Sequence, residues 1–202
     1  MFLPKSPQII KALYSQLIWE IPNNSNKIYL TFDDGPTPEI TDWTLDILKK
    51  TSNKSYFFCL GQNVEKHPEI FQRIIDEGHA IGNHSYSHLS GWKSKDEDYF
   101  KDVDKASSKI DSKLFRPPYG RITKSQAKYL KQDYNIIMWS VISGDFDSKT
   151  SPEKCLDNVI KNTTGGSIIV FHDSEKASTN LKYALPKAIE LLSEKGFVFD
   201  KM

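Results

Sequence analysis

Short apolar runs alternate with amphipathic stretches along most of this chain, and that alternation limits the fold more than any other feature. The runs fall at 27–32, 55–60, 79–82, 114–115, 136–141, 167–171 and 197–199. Between them, helical spacing groups Ile40, Trp43, Ile47 and Leu48, then Ile70, Phe71, Ile74 and Ile75, then Phe100, Val103, Ala106 and Ile110. Thr37-Pro38-Glu39, His67-Pro68-Glu69 and Ser151-Pro152-Glu153 read as helix starts, and Thr123 with Gln126 has the spacing of a capping box. A last helix is expected over 179–195, interrupted at Pro186. Seven strands alternating with six helices predict a parallel sheet covered by helices, and a barrel and an open doubly wound sheet both satisfy that pattern. Asp33-Asp34-Gly35-Pro36 follows the first strand where a nucleotide-binding sheet would carry a glycine-rich phosphate loop.

Composition removes several function classes. With 27 Lys plus Arg against 26 Asp plus Glu, the chain lacks the basic excess of a non-specific nucleic-acid binder. No apolar run reaches the roughly 18–20 residues that span a bilayer. The apolar residues near the N-terminus are broken by Pro4, Pro7, Gln8, Lys11 and Gln16, a poor signal-peptide core, so the sequence by itself reads as cytoplasmic. Cys59 and Cys155 sit in no metal or redox motif and are expected to pack as small hydrophobes.

Ionisable residues gather just after the strands: Asp33 and Asp34 after the first, His84 and His88 after the third, Arg116 after the fourth, Asp145 after the fifth, and His172 and Asp173 after the sixth. In parallel α/β folds the carboxyl ends of the strands form the site face. His84 and His88 are four apart, so on a helical turn both rings would point to one ion. That pair is a weak signal alone, but a carboxylate beside it makes an open, catalytic type of zinc site, although non-haem iron accepts the same donors. Neighbouring aspartates in extended backbone diverge, so one of Asp33 and Asp34 can bind an ion while the other accepts a proton. Arg116, held between a strand and Pro117-Pro118, can orient a carboxylate, and His172 is a candidate general acid.

TFDDGP at 31–36, HSYSH at 84–88, RPPYG at 116–120, SGDF at 143–146 and IVFH at 169–172 resemble the five ordered motifs of the polysaccharide deacetylases, the NodB-homology domains of carbohydrate esterase family four. The resemblance covers the chain from about Lys27 onward and implies a single-domain, distorted seven-stranded (β/α) barrel over 27–202. Residues 1–26 become an N-terminal extension packed on that barrel through Ile9, Ile10, Leu13, Leu17 and Ile18. The resemblance further implies Asp33 as catalytic base, and Asp34, His84 and His88 as ligands of one divalent metal ion, zinc in the first instance. Arg116 would orient the base, Asp145 tune the acid His172, and the Tyr119 N–H meet the oxyanion. Phe146 and Val170 would line the pocket for the acetyl methyl.

One departure stands out. The family's fourth motif reads D-x-x-D-W, and here Ile142 and Phe146 replace its first aspartate and its tryptophan. The implied activity is metal-assisted removal of N-acetyl groups from a chitin- or peptidoglycan-type sugar chain, releasing acetate. The rival expectations are a metal-dependent hydrolase of a non-sugar amide and a non-catalytic carbohydrate-binding barrel. A sugar polymer would place the work at the cell envelope, against the cytoplasmic reading of the N-terminus. The partner is then an N-acetylated carbohydrate, and a monomer is favoured.

Overall fold

The computed structural model describes residues 2–22 and 26–201. Residues 1, 23–25 and 202, which belong to the expected N-terminal extension and to the end of the expected barrel domain, lie outside the described residues. The elements run α1 (Gln8–Leu13), β1 (Lys27–Asp33), α2 (Ile40–Lys50), β2 (Tyr56–Cys59), α3 (Gly61–Lys66), α4 (Pro68–Asp76), β3 (Ala80–Asn83) and α5 (Asp96–Ser107). They continue with β4 (Leu114–Phe115), α6 (Lys124–Leu130), β5 (Asn135–Ile136), β6 (Val141–Ile142), α7 (Pro152–Ile160), β7 (Ile168–His172), α8 (Ser178–Glu194) and β8 (Val198–Phe199).

Seven parallel strands curl into a half-barrel in the order β5-β4-β3-β2-β1-β7-β6, and β8 pairs with the start of β1. β1 is central, and every residue from Ile28 to Asp33 is buried, as a strand covered on both faces requires. Its register against β7 sets Asp33 opposite His172, so two ionisable groups meet at the same level of the sheet. Phe32 stacks on Phe57 and Phe171 with ring centroids 5.0 and 6.3 Å away. Truncating such a filled core position to alanine costs about 3–5 kcal/mol.

The run expected as one strand over 136–141 is broken. Its start, β5, pairs with β4 at one edge of the sheet, and its end, β6, pairs with β7 at the other. Residues 137–140 cross between the edges because their polar groups are used elsewhere. The carbonyls of Ile137 and Met138 accept from the Arg116 guanidinium at 3.2 and 3.0 Å, and the Met138 N–H donates to the Ile18 carbonyl at 2.7 Å. The N-terminal segment closes this seam through bridges Lys5 to Val141, Ile18 to Ile137 and Glu20 to Ser167.

That segment docks differently from the expectation. Ile9, Ile10 and Leu13 are exposed, whereas Ser6, Lys11, Leu17 and Trp19 are buried. Backbone pairing, the Ser6 hydroxyl bond to the Trp139 carbonyl (2.6 Å) and the packing of Leu17 and Trp19 into the core hold it, so the apolar face of α1 is left over. Other differences are local. Thr37-Pro38-Glu39 does not cap α2, which starts at Ile40 behind Glu39 at φ 64°. α3 adds a short helix that periodicity missed. Ser151 and the Thr123–Gln126 capping box do open α7 and α6. α8 runs unbroken through Pro186. A proline inside a helix costs about 3 kcal/mol, but burying Leu181, Leu185, Ile189 and Leu192 returns about 2 kcal/mol each and decides the outcome. Both cysteines are free and buried.

Candidate active site

The carboxyl ends of β1, β3 and β7 open on a cavity of about 650 Å³ lined by Asp33, Asp34, His84, His88, Phe146 and His172 among others. Asp34, His84 and His88 each bring one donor atom within 4.8 Å of the others. The Asp34 carboxylate lies 3.7 Å from His84 Nε2 and 3.3 Å from His88 Nε2, and its Oδ1 is buried with no hydrogen-bond partner. A buried carboxylate oxygen left without a donor is costly unless a cation serves it. The trio therefore fits a divalent ion.

The histidines do not lie on a helical turn, as their spacing had indicated. They sit in an irregular loop after β3, with Ser85 and His88 at φ 66° and 64° and ring centroids 5.1 Å apart. Residues that spacing did not single out shape this loop. Asn83 Oδ1 accepts the Ser85 N–H (2.7 Å), Ser85 Oγ accepts the His88 N–H (3.1 Å), and the Asp102 carboxylate accepts the N–H groups of Tyr86 and Ser87. The Asn83-His84-Ser85 order is the one available signal, since asparagine readily forms such turns. Asp102 looked like one more charge on a solvated helix.

Each imidazole has a defined state. His84 Nδ1 donates to the Arg116 carbonyl at 2.7 Å, because a carbonyl can only accept, and Nε2 is left with its lone pair toward Asp34. Burial holds His84 below the ordinary imidazole range, and burial and then His84 lower His88 to about 4. Both are neutral at neutral pH, the form a metal ligand needs. His172 goes the other way. Burial opposes its charge, but Asp145 outweighs burial and raises it to about 9. The Asp145 carboxylate accepts from the His172 ring Nδ1 (2.8 Å) and from its backbone N–H (2.7 Å), so the carboxylate fixes both ring and strand end.

Asp33 pairs with Arg116 at 2.6 Å. The guanidinium is fully buried, also donates to Thr31 Oγ1 (2.7 Å), and lies 4.0 Å over the Phe58 ring. Such a pair is stable only because its remaining donors are used, here by the two carbonyls of the 137–140 crossing.

The other expected residues fall as follows. Tyr119 lies at φ 60° with its exposed ring 4.4 Å from that of His88. Phe146 lines the cavity and meets the His172 ring edge-on at 5.0 Å. Val170 is fully buried in β7 and is not among the lining residues. Ile142 is among them. So is Phe2 of the N-terminal segment, whose ring lies 5.4 Å from Phe146. Gly144 makes room for it, because at φ 80° a Cβ would come within 2.1 Å of the Phe2 ring. Nothing near Phe2 in sequence signals this.

A parallel half-barrel with an Asp-His-His trio and two acid–base pairs at its strand ends defines a class of α/β hydrolytic barrels. The family model described as polysaccharide deacetylase matches residues 20–135, more than half of the chain, and the chain belongs to the polysaccharide deacetylase family. It is 38% identical over 186 residues to a peptidoglycan-N-acetylglucosamine deacetylase of Bacillus cereus, covering 88% of this chain and 67% of that protein. A second B. cereus protein of the same description is 33% identical over 194 residues, covering 90% of this chain and 88% of the relative. Among solved structures, the Bc1960 peptidoglycan N-acetylglucosamine deacetylase, in complex with 4-naphthalen-1-yl-N-oxidanyl-benzamide, superposes with a TM-score of 0.88. It is 35% identical, with 96% of this chain and 94% of that one covered.

Proposed function

We propose that this polysaccharide deacetylase is metal-dependent and removes N-acetyl groups from N-acetylglucosamine of a peptidoglycan-type chain, releasing acetate. The observation that carries this reading is the meeting of the Asp34–His84–His88 trio with the Asp33–Arg116 and Asp145–His172 pairs at one cavity. The substrate is supported by the two B. cereus relatives, both described as acting on that sugar. An exposed aromatic shelf of Tyr119 and Trp92, with Arg121 lying over both rings, suits the apolar face of a sugar. Such a substrate places the work at the cell envelope.

Asp34, His84 and His88 would hold the ion, with zinc the first candidate for two imidazoles and one carboxylate. When bound, a divalent ion polarises the acetyl carbonyl and eases deprotonation of water. The chain's own residues do the rest. Arg116 holds the Asp33 carboxylate aimed, and Asp33 takes a proton from the water whose oxygen bonds to the acetyl carbon. Charge that develops on the carbonyl oxygen is met by the Tyr119 N–H. As the carbon–nitrogen bond breaks, His172 gives its proton to the departing nitrogen, and Asp145 stabilises the imidazolium beforehand. Phe146 packs beside the acetyl methyl.

The test is mass spectrometry of N-acetylglucosamine oligomers and peptidoglycan fragments incubated with the zinc-loaded protein. Stepwise loss of acetyl groups with release of acetate is expected. Zinc binding with no acetyl loss from any sugar, but turnover of simple acetamides, would replace the sugar by another amide. Binding of oligomers without turnover would make the barrel a carbohydrate-binding protein.

A further inference from the structure

One fully buried carboxylate has no part in this chemistry. Asp173 follows His172 directly and is 0% exposed. Its backbone N–H donates to the Asp33 carbonyl at 3.1 Å. Its Oδ1 accepts the Gly35 N–H at 3.1 Å, and its Oδ2 accepts the Thr41 hydroxyl at 2.6 Å. Thr41 Oγ1 in turn accepts the Thr37 N–H at 2.7 Å, which ties the end of the turn to the first residues of α2. Residue 173 therefore grips the chain on both sides of Asp34.

Asp34 needs that grip. It sits at φ 85°, a left-handed conformation that is strained for a residue with a side chain and persists only where its surroundings hold it. Asn63 Nδ2 holds the Asp34 carbonyl at 2.8 Å, but the neighbours of Asp34 are held from β7 by Asp173. Gly35 and Asp173 are also matched in shape. A Cβ at Gly35 would lie 2.0 Å from Asp173 Oδ2, so the carboxylate fills the space where residue 35 has no side chain.

We infer that Asp173 is a positioning residue that, by clamping the Asp33 carbonyl and the Gly35 amide, sets the direction in which Asp34 faces His84 and His88. The inference rests on the metal-dependent reading above. It is tested with Asp173→Ala, Asp173→Asn and Thr41→Val, by zinc affinity in competition with a chromogenic chelator, by the Tm of the metal-free protein, and by kcat and KM on an N-acetylglucosamine oligomer at saturating zinc. Asp173→Ala should weaken zinc about 10- to 100-fold and lower kcat by a similar factor with KM little changed. Asp173→Asn, whose amide oxygen still accepts the Gly35 N–H, should recover most of both. Thr41→Val should weaken zinc about 10-fold, the low end of that range. Wild-type zinc affinity and kcat in a folded Asp173→Ala, whatever its Tm, would overturn the inference. If that variant does not fold, unchanged zinc affinity and kcat in Thr41→Val would do the same. A wild-type protein that neither binds zinc nor releases acetate removes the metal-dependent reading, and this inference falls with it.

Discussion

The two ends of the cavity use the same side chain in opposite ways. At one end His84 and His88 are held neutral, by burial first, and face a carboxylate oxygen that has no proton donor. At the other end His172 is just as enclosed, yet it stays protonated to about 9 because burial is outweighed by the Asp145 carboxylate bonded to its ring, with Asp34 and Asp33 adding to it. Burial alone would make all three alike. The main difference is a carboxylate hydrogen-bonded to the ring, and it separates a ligand-type imidazole from an acid-type one within a single groove.

The strongest way to break this contrast is Asp34→Ala. Zinc binding should be lost and deacetylation should fall at least about 10³-fold, while the Tm of the metal-free protein is kept or raised, since Oδ1 of the carboxylate removed is buried without a hydrogen-bond partner. A variant that keeps zinc affinity would remove Asp34 from the ligand set. Next, His172→Ala should lower kcat about 10²- to 10⁴-fold with zinc affinity unchanged, measured on the same preparation. Coincident loss of metal would mean that the two ends are one unit.

Asp145→Asn sharpens the comparison through pH. A pKa of about 9 keeps His172 in its acid form at neutrality, and the alkaline fall in kcat follows that value. Without the carboxylate the fall should move down toward the ordinary imidazole value of about 6.5, a loss of more than about tenfold near pH 8.5. Stability should follow the same sign. The raised folded-state pKa means that the Asp145–His172 contribution is complete below about 6.5 and lost as pH rises through about 9. An unchanged kcat–pH profile would show that His172 is not the titrating acid.

The smallest effect belongs to a histidine outside the cavity. His79 accepts the Ser55 N–H, and burial, then Lys54, lower it to about 4. It reproduces the burial half of the contrast without a metal site. Its contribution is complete above about 6.5 and lost as pH falls through about 4, so His79→Gln should flatten the acid limb of stability. Urea unfolding at about pH 5 and about pH 7 measures this, and equal slopes in both proteins would exclude His79 as the source.

Much of this was legible in the residues themselves. The strand–helix alternation needs only local periodicity, and the gathering of Asp33, His84, Arg116, Asp145 and His172 on one face follows from parallel strands. What periodicity cannot report is where a polar group is spent. The break in the fifth run exists because Ile137 and Met138 give their carbonyls to an arginine some twenty residues upstream. The exposure of Ile9 and Leu13 is of the same kind, since backbone pairing, together with the buried Leu17 and Trp19, docks that segment without the apolar face of α1. Asn83, Asp102 and Asp173 act by holding main-chain atoms; in sequence the first two look like any turn or surface residue, and Asp173 stands beside His172 at its strand end with nothing to tell its role.

The seam closed by the N-terminal segment has a kinetic consequence. Ser6 and its partner Trp139 are 133 residues apart in the chain. Contacts of such span must wait for a long loop closure, as must the pairing of β1 with β7 and β8, so this strip of backbone is expected to form late. During synthesis, Ser6 remains without its partner until Trp139 has emerged. In refolding followed by pulsed hydrogen exchange, the amides of Ser6, Met138 and Ile142 should gain protection after those of β2 and β3, which pair with each other over a short loop. The cavity wall at Phe2 is then among the last parts of the molecule to assemble, and activity should return on that slower clock.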